Sequence, residues 1–195
     1  ELGALPETYF TAWGSLFENL KLNPKDTLLI RGATCALGYA AVQMAKALGC
    51  KVIATTHRAT KLPLLKEADH AVLDDGNLAS NIKANKALDL VGPRFLRDTL
   101  KCISKVGIVC QTGILGGVFT LNDFDPIKEI PNGVYLTGFF SNFPTQTTID
   151  DLFAFLNKHN LKPKYGAVYE FKEIAQACRA LDDGKVNGKI VAVNN

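Results

Sequence analysis

Histidine is scarce, methionine and tryptophan occur once each, and the five cysteines are odd in number and scattered. Cys35, Cys50, Cys102, Cys110 and Cys178 form no CxxC pair and have no histidine at ligand spacing. That pattern argues against a disulfide framework and a structural zinc site, so a reduced, cytoplasmic setting is expected. His57, His70 and His159 are far apart and show no HxxxH spacing, so no metal is expected. No apolar run reaches the roughly 18 residues that a membrane span needs. The first twenty residues carry acids rather than the basic start of a signal peptide. The formal net charge is +3 with both signs interspersed, and no run of five like charges marks a nucleic-acid arm or a membrane patch. The chain opens at Glu1 and its one methionine is Met44, which fits a processed or truncated product.

What is present is apolar material, 47% of 195 residues, enough for one packed core and too little chain for two large domains. Residues 1–22 read as a leading helix segment attached to a single unit over 23–195. Between Pro6 and Leu22, Phe10, Trp13, Phe17 and Leu20 recur at helical spacing and predict a core-facing stripe. Short apolar runs predict strands at Thr27–Arg31, Lys51–Thr56, Ala71–Leu73, Leu88–Val91, Gly107–Thr112, Val134–Phe139 and Lys189–Val193. Helical spacing predicts helices over Gly38–Leu48, Ala59–Ala68 (disturbed by Pro63), Leu78–Ala84, Phe95–Ile103, Ile149–Lys158 and Phe171–Asp182. Gly116 to Gly133 lacks clear periodicity and reads as a long loop. Strands alternating with helices need crossover connections, which give a doubly wound parallel α/β sheet covered on both faces.

The turn after the first strand, Gly32 to Gly38 (GATCALG), stands where such sheets bind ligands. Small residues there let a pyrophosphate approach the backbone and the helix N-terminus. Gly32, Thr34, Cys35, Ala36 and Leu37 are therefore candidate cofactor contacts. The strict GxGxxG pattern is not met, because its first two glycine positions hold Ala33 and Cys35. At the end of the second strand, an acid would hold the adenosine ribose of NAD and a base would accommodate a 2′-phosphate. Here Thr56, Arg58 and Lys61 occur with no acid before Glu67, which favours NADPH.

These residues, with Thr11-Ala12-Trp13, the run Leu28 to Thr56, Leu88 to Gly92, Gln111-Thr112-Gly113 and Gly188 to Val191, resemble the quinone oxidoreductase branch of the medium-chain dehydrogenase/reductase family. The resemblance implies a Rossmann fold normally preceded by a GroES-like substrate domain, which is missing here, so a fragment is expected. It places Val91, Gly92, Thr112, Gly113 and Ile114 along the nicotinamide end. It implies zinc independence, since Glu7 stands where zinc-dependent members carry a cysteine. It further implies hydride transfer from NADPH to a quinone or activated enone, with no catalytic side chain singled out, and a homodimer paired along the Val134 to Phe140 edge. Cys35 replaces the usual Gly or Ser, which raises the expectation of a crowded or oxidation-sensitive turn.

Rival chemistries lack their residues. No tyrosine is followed four positions later by lysine, as a short-chain dehydrogenase requires, and no serine lies in GxSxG. An S-adenosylmethionine site would want an acid where Thr56 to Lys61 stand. A non-catalytic nucleotide-binding or interaction module with the same fold stays open as the alternative.

Overall fold

The computed structural model describes residues 2–142 and 144–194. Six strands form one parallel sheet: β1 (Thr27–Arg31), β2 (Lys51–Thr56), β3 (His70–Leu73), β4 (Ala84–Asp89), β5 (Ile103–Gln111) and β6 (Tyr135–Gly138). Their order is β3-β2-β1-β4-β5-β6. Central β1 is apolar through Leu28, Leu29 and Ile30 because both of its faces are covered. Leu28 and Ile30 point into one core with Val52, Ala54 and Leu88, while Leu29 joins Ile53, Ala87 and Val109 in the other. This is the two-residue alternation of a strand with a core on each side.

The first face is covered by α1 (Thr8–Trp13), α2 (Ala36–Leu48) and α5 (Gln146–Lys158), contributing Leu16 from just beyond α1, Met44 and Leu152. The second face carries α3 (Leu96–Lys101), whose Leu96 and Leu100 are buried. Each such leucine, fully withdrawn from water, contributes about 2 kcal/mol. The sheet is doubly wound, and its strand order reverses at β1, between β2 and β4. Open sheets of this kind bind ligands in the crevice outside the strand ends at that point.

Several expected elements shift. The leading segment is α1 continued through wider, π-type turns over Gly14–Asn19. This changes the spacing, so the buried face is Tyr9, Ala12, Leu16 and Leu20. Trp13 and Phe17 are only half-buried and stack with Phe155 of α5, at ring separations of 5.8 and 5.2 Å. The helix expected at Leu78–Ala84 is a single 3-10 turn, Leu78–Ser80, because β4 begins at Ala84. Polar Asn85 and Lys86 disguise that strand start. Asn85 is used locally, accepting from the Thr27 N–H at 2.8 Å and donating to Asp26 at 2.6 Å.

In the long Gly116 to Gly133 connection, α4 (Pro126–Glu129) forms one short turn capped by Asp125. Beyond α5, an unexpected strand β7 (Tyr165–Glu170) pairs in parallel with β8 (Lys189–Val193) across α6 (Ile174–Asp182). The two make a separate small sheet, so β8 does not extend the main one.

Candidate functional site

The turn between β1 and α2 is built for close approach. Gly32 has φ +81°, a region in which L side chains are strained, and a Cβ there would stand 3.1 Å from Val91 Cγ2. Its N–H donates to Thr55 Oγ1 at 3.1 Å, and the Ala33 N–H donates to the Thr55 carbonyl at 2.8 Å. Cys35 caps α2, its sulfur accepting from the Gly38 N–H at 3.3 Å. The first-turn N–H groups of Ala36 and Leu37 have no acceptor inside the helix and are suited to an anion. Gly38 lets the helix lie against the turn, since a Cβ there would sit 2.3 Å from the Ala33 carbonyl oxygen.

Two clefts meet at this turn. One, of about 430 Å³, is lined by Gly32, Thr34, Cys35, Thr56, Arg58 and Lys61, with Asp74, Asp75, Val91, Arg94 and Leu115 opposite. Thr34 and Thr56 share a hydroxyl hydrogen bond of 3.1 Å, which ties the turn to the end of β2. Arg58 Nε donates to His57 Nε2 at 3.2 Å. Among the described residues, neither Arg58 nor Lys61 forms an ion pair.

The other cleft, of about 340 Å³, is bounded by Cys35, Ala36 and Leu37 on one side and Gly113, Ile114 and Leu115 on the other. Leu90 and the α1 residues Thr8 and Thr11, with Glu7, complete it. Glu7 has φ 65° and ψ −58°, and the Thr8 N–H donates to the Pro6 carbonyl at 2.8 Å. That is a strained γ-turn, which turns the chain into α1. The Glu7 carboxylate accepts from Thr11 Oγ1 at 3.0 Å.

Asp89 is wholly buried at the end of β4, next in sequence to the cleft residues Leu90 and Val91. It accepts from Thr99 Oγ1 at 2.6 Å and from the N–H groups of Gly92 and Val91 at 2.8 and 2.9 Å. Burial pushes its carboxyl above the ordinary range, outweighing these bonds and the nearby Arg31 charge. Its role is to fix the turn after β4. There Gly92 has φ +86°, and a Cβ would come within 2.6 Å of the Gly113 carbonyl.

The structure thus gathers Gly32, Thr34, Cys35, Thr56, Arg58, Lys61 and Val91 around one cleft, and Cys35, Ala36, Leu37, Gly113 and Ile114 around the other. Gly92 and Thr112 line neither. Gly92 serves the turn, and the Thr112 hydroxyl faces the leading segment, 2.9 Å from Ser15 Oγ. Cys35 is half-buried, and burial pushes its thiol up. Sequence reasoning missed Asp74, Asp75, Arg94 and Leu115. The two acids follow β3, and only the β2–β3 pairing, which aligns Thr56 with Leu73, brings them beside Arg58.

A protein-family model described as zinc-binding dehydrogenase matches residues 66–192. The chain belongs to the zinc-binding dehydrogenase family. Among the described residues, no group of three or more His, Cys, Asp or Glu comes together that could hold a metal ion. A protein from Rattus norvegicus named quinone oxidoreductase is 27% identical over 89% of this chain and 56% of its own length. The highly reducing polyketide synthase phiA of Fungal sp. is 27% identical over 98% of this chain and 8% of its own. The chain therefore spans under a tenth of that synthase and little more than half of the oxidoreductase.

Among solved structures, the quinone oxidoreductase of Thermus thermophilus, described with its NADPH complex, superposes with a TM-score of 0.81 at 25% identity, covering 97% of this chain and 64% of that one. The CurK enoyl reductase gives 0.83 at 23% identity over 98% and 61%, which supports the fold. The resemblance read from the sequence and the doubly wound architecture both stand, and a nicotinamide cofactor suits the family.

Proposed function

We propose that this chain holds NADPH across the two clefts and is the cofactor-binding part of a zinc-independent reductase acting on a quinone or other activated enone or carbonyl compound. One observation carries the choice of cofactor. Arg58 and Lys61, without ion-pair partners among the described residues, stand in the same cleft as the Gly32 turn and the Thr56 hydroxyl. A 2′-phosphate takes paired bonds from a guanidinium and a point charge from an ammonium.

The pyrophosphate would pass Gly32, Thr34 and the N-terminus of α2, and the nicotinamide would lie between Leu37 and the Gly113-Ile114 backbone, with Val91 beside the crossing. Gly92 and Thr112 would act one step back, holding the turns after β4 and β5. When bound, NADPH supplies the hydride. The chain's own contribution is orientation and exclusion of water by the apolar Leu37, Leu90, Ile114 and Leu115 wall.

The partner reading extends to a second copy of the chain. β6 forms an open edge of the sheet, and its Tyr135 and the following Phe140 are exposed, as a paired edge between two subunits would require. All five cysteines are free, which suits the reducing cytoplasm.

The test is a calorimetric titration of the chain with NADPH and NADH at matched ionic strength. The expected result is NADPH binding at least about tenfold tighter, as one or two charge-assisted bonds imply. Equal affinities would overturn the 2′-phosphate assignment. A folded chain that binds neither would favour the non-catalytic module.

A further inference from the structure

The last residue of β1 is an arginine where both neighbouring cores are apolar. Arg31 is wholly buried immediately before the Gly32 turn. Its Nε and one terminal nitrogen donate to the two oxygens of Asp74, each at 2.8 Å. The other terminal nitrogen reaches Asp98 at 2.8 Å, Thr99 Oγ1 at 3.0 Å and the Phe95 carbonyl at 3.1 Å. The Phe95 ring lies 4.8 Å from the guanidinium carbon. Withdrawing such a cation from water costs several kcal/mol before its partners offset it. An apolar residue would fill this strand position without that penalty.

The two carboxylates on Arg31 are not equivalent. Asp98 also accepts from the N–H groups of Leu78 and Ala79 at 2.9 and 3.2 Å, and it lines neither cleft. Asp74 lines the cleft that holds Gly32, Arg58 and Lys61. An uncompensated Asp74 would place a negative charge where the 2′-phosphate is proposed to bind, and would offer the hydroxyl acceptor that a ribose prefers. Its oxygens are instead occupied by Arg31 and, at 3.0 Å, by the Gly76 N–H.

We infer that Arg31 is the internal counter-ion that sets cofactor selectivity: by pairing with Asp74 it cancels the acid in the cleft wall and leaves the field of Arg58 and Lys61 to select a 2′-phosphate. The inference rests on the NADPH reading above. Arg31 lines neither cleft; it is a positioning residue that acts through Asp74. The remaining charges around the cleft, Asp75 and Arg94, are of opposite sign and both exposed.

The experiment compares NADPH and NADH titrations of the native chain with Arg31→Met, Asp74→Asn and the combined variant. Selectivity, the ratio of the two Kd values, is the readout, because loosening of the fold weakens both cofactors together. Arg31→Met should lower the preference for NADPH about fivefold or more, the scale of one uncompensated charge near the phosphate. Asp74→Asn should raise it, since the negative charge of the cleft wall is removed while Arg31 stays paired with Asp98. The combined variant should return to within about twofold of the native ratio.

If Arg31→Met does not fold, the rise in Asp74→Asn and the return in the combined variant decide alone. An unchanged ratio in those two, with a native chain that prefers NADPH, overturns the counter-ion role and leaves the cofactor assignment intact. A native chain without NADPH preference overturns the assignment itself.

Discussion

Arg58 Nε donates to His57, and its guanidinium lies beside the Gly184 turn, where an added Cβ would stand 3.5 Å from a terminal nitrogen. Its free donors face the cleft shared with Lys61 and Thr56. Arg58→Glu exchanges a donor fork for a charge of the same sign as the phosphate. Affinity for NADPH should fall about tenfold or more, as expected for a charged hydrogen bond, while NADH changes by about twofold or less. Paired calorimetric titrations read this directly, and equal losses for both cofactors would remove Arg58 from the 2′-phosphate site. The same scale explains why Cys35 is tolerated in the turn. Its sulfur bonds to the Gly38 N–H and does the work of a polar N-cap.

At the scale of elements, the β1-turn-α2 unit decides where the cofactor can lie, and Gly38 is its tightest contact. Replacing it by alanine sets two effects against each other. Alanine is a better helix residue than glycine by about 1 kcal/mol. Its Cβ, however, would meet the Ala33 carbonyl oxygen at 2.3 Å and the Ala33 carbonyl carbon and Cα at 2.6 Å, all backbone atoms that cannot swing aside. Overpacking of that kind costs about 1–3 kcal/mol, so Gly38→Ala should destabilise the chain by roughly 1–2 kcal/mol and lift α2 away from the turn. Urea unfolding measures the first effect, and a gain in stability would refute the packing argument.

This unit was also the most legible part of the sequence. The apolar run of β1, the small-residue turn and Gly49, which ends α2 at φ 99°, are local signals that agree with one another. β7 was not legible. Tyr165 to Glu170 follows a Lys-Pro-Lys run and is exposed along most of its length, so no buried alternation marks it as a strand. The site was readable where neighbours in sequence are neighbours in space, as with Thr56, Arg58 and Lys61. Asp74 and Arg94 reach the same cleft only through strand pairing and the turn after β4, which residue spacing does not encode. Gly92 and Thr112 line neither cleft, and spacing alone does not reveal this, because a glycine that serves a turn and one that serves a ligand look alike in sequence.

Over the whole molecule, the buried thiols couple stability to alkaline pH. Burial pushes the Cys50 thiol up to about 11 and the Cys102 thiol up to about 12, and it also raises Cys35, Cys110 and the Tyr9 phenol. Unfolded thiols ionise near about 8.5, so above that pH the unfolded chain releases protons that the folded chain retains. Stability falls with pH wherever the native state binds more protons. The contribution of these thiols is therefore fully present at and below about pH 8. It is lost as the pH climbs through the raised values of Cys50 and Cys102. The urea midpoint should accordingly drop steadily above about pH 9, and Cys50→Ala and Cys102→Ala should each flatten that slope even where they lower the midpoint at neutral pH. Thiol labelling near pH 8 gives an independent check. Cys178 is exposed and should react at once, whereas Cys50, Cys102 and Cys110 are buried and should react only after denaturant is added. Rapid labelling of several cysteines in the native chain, or a midpoint that does not move with alkaline pH, would show that the two cores are looser than the packing of Leu28, Leu29 and Ile30 between the helical layers implies.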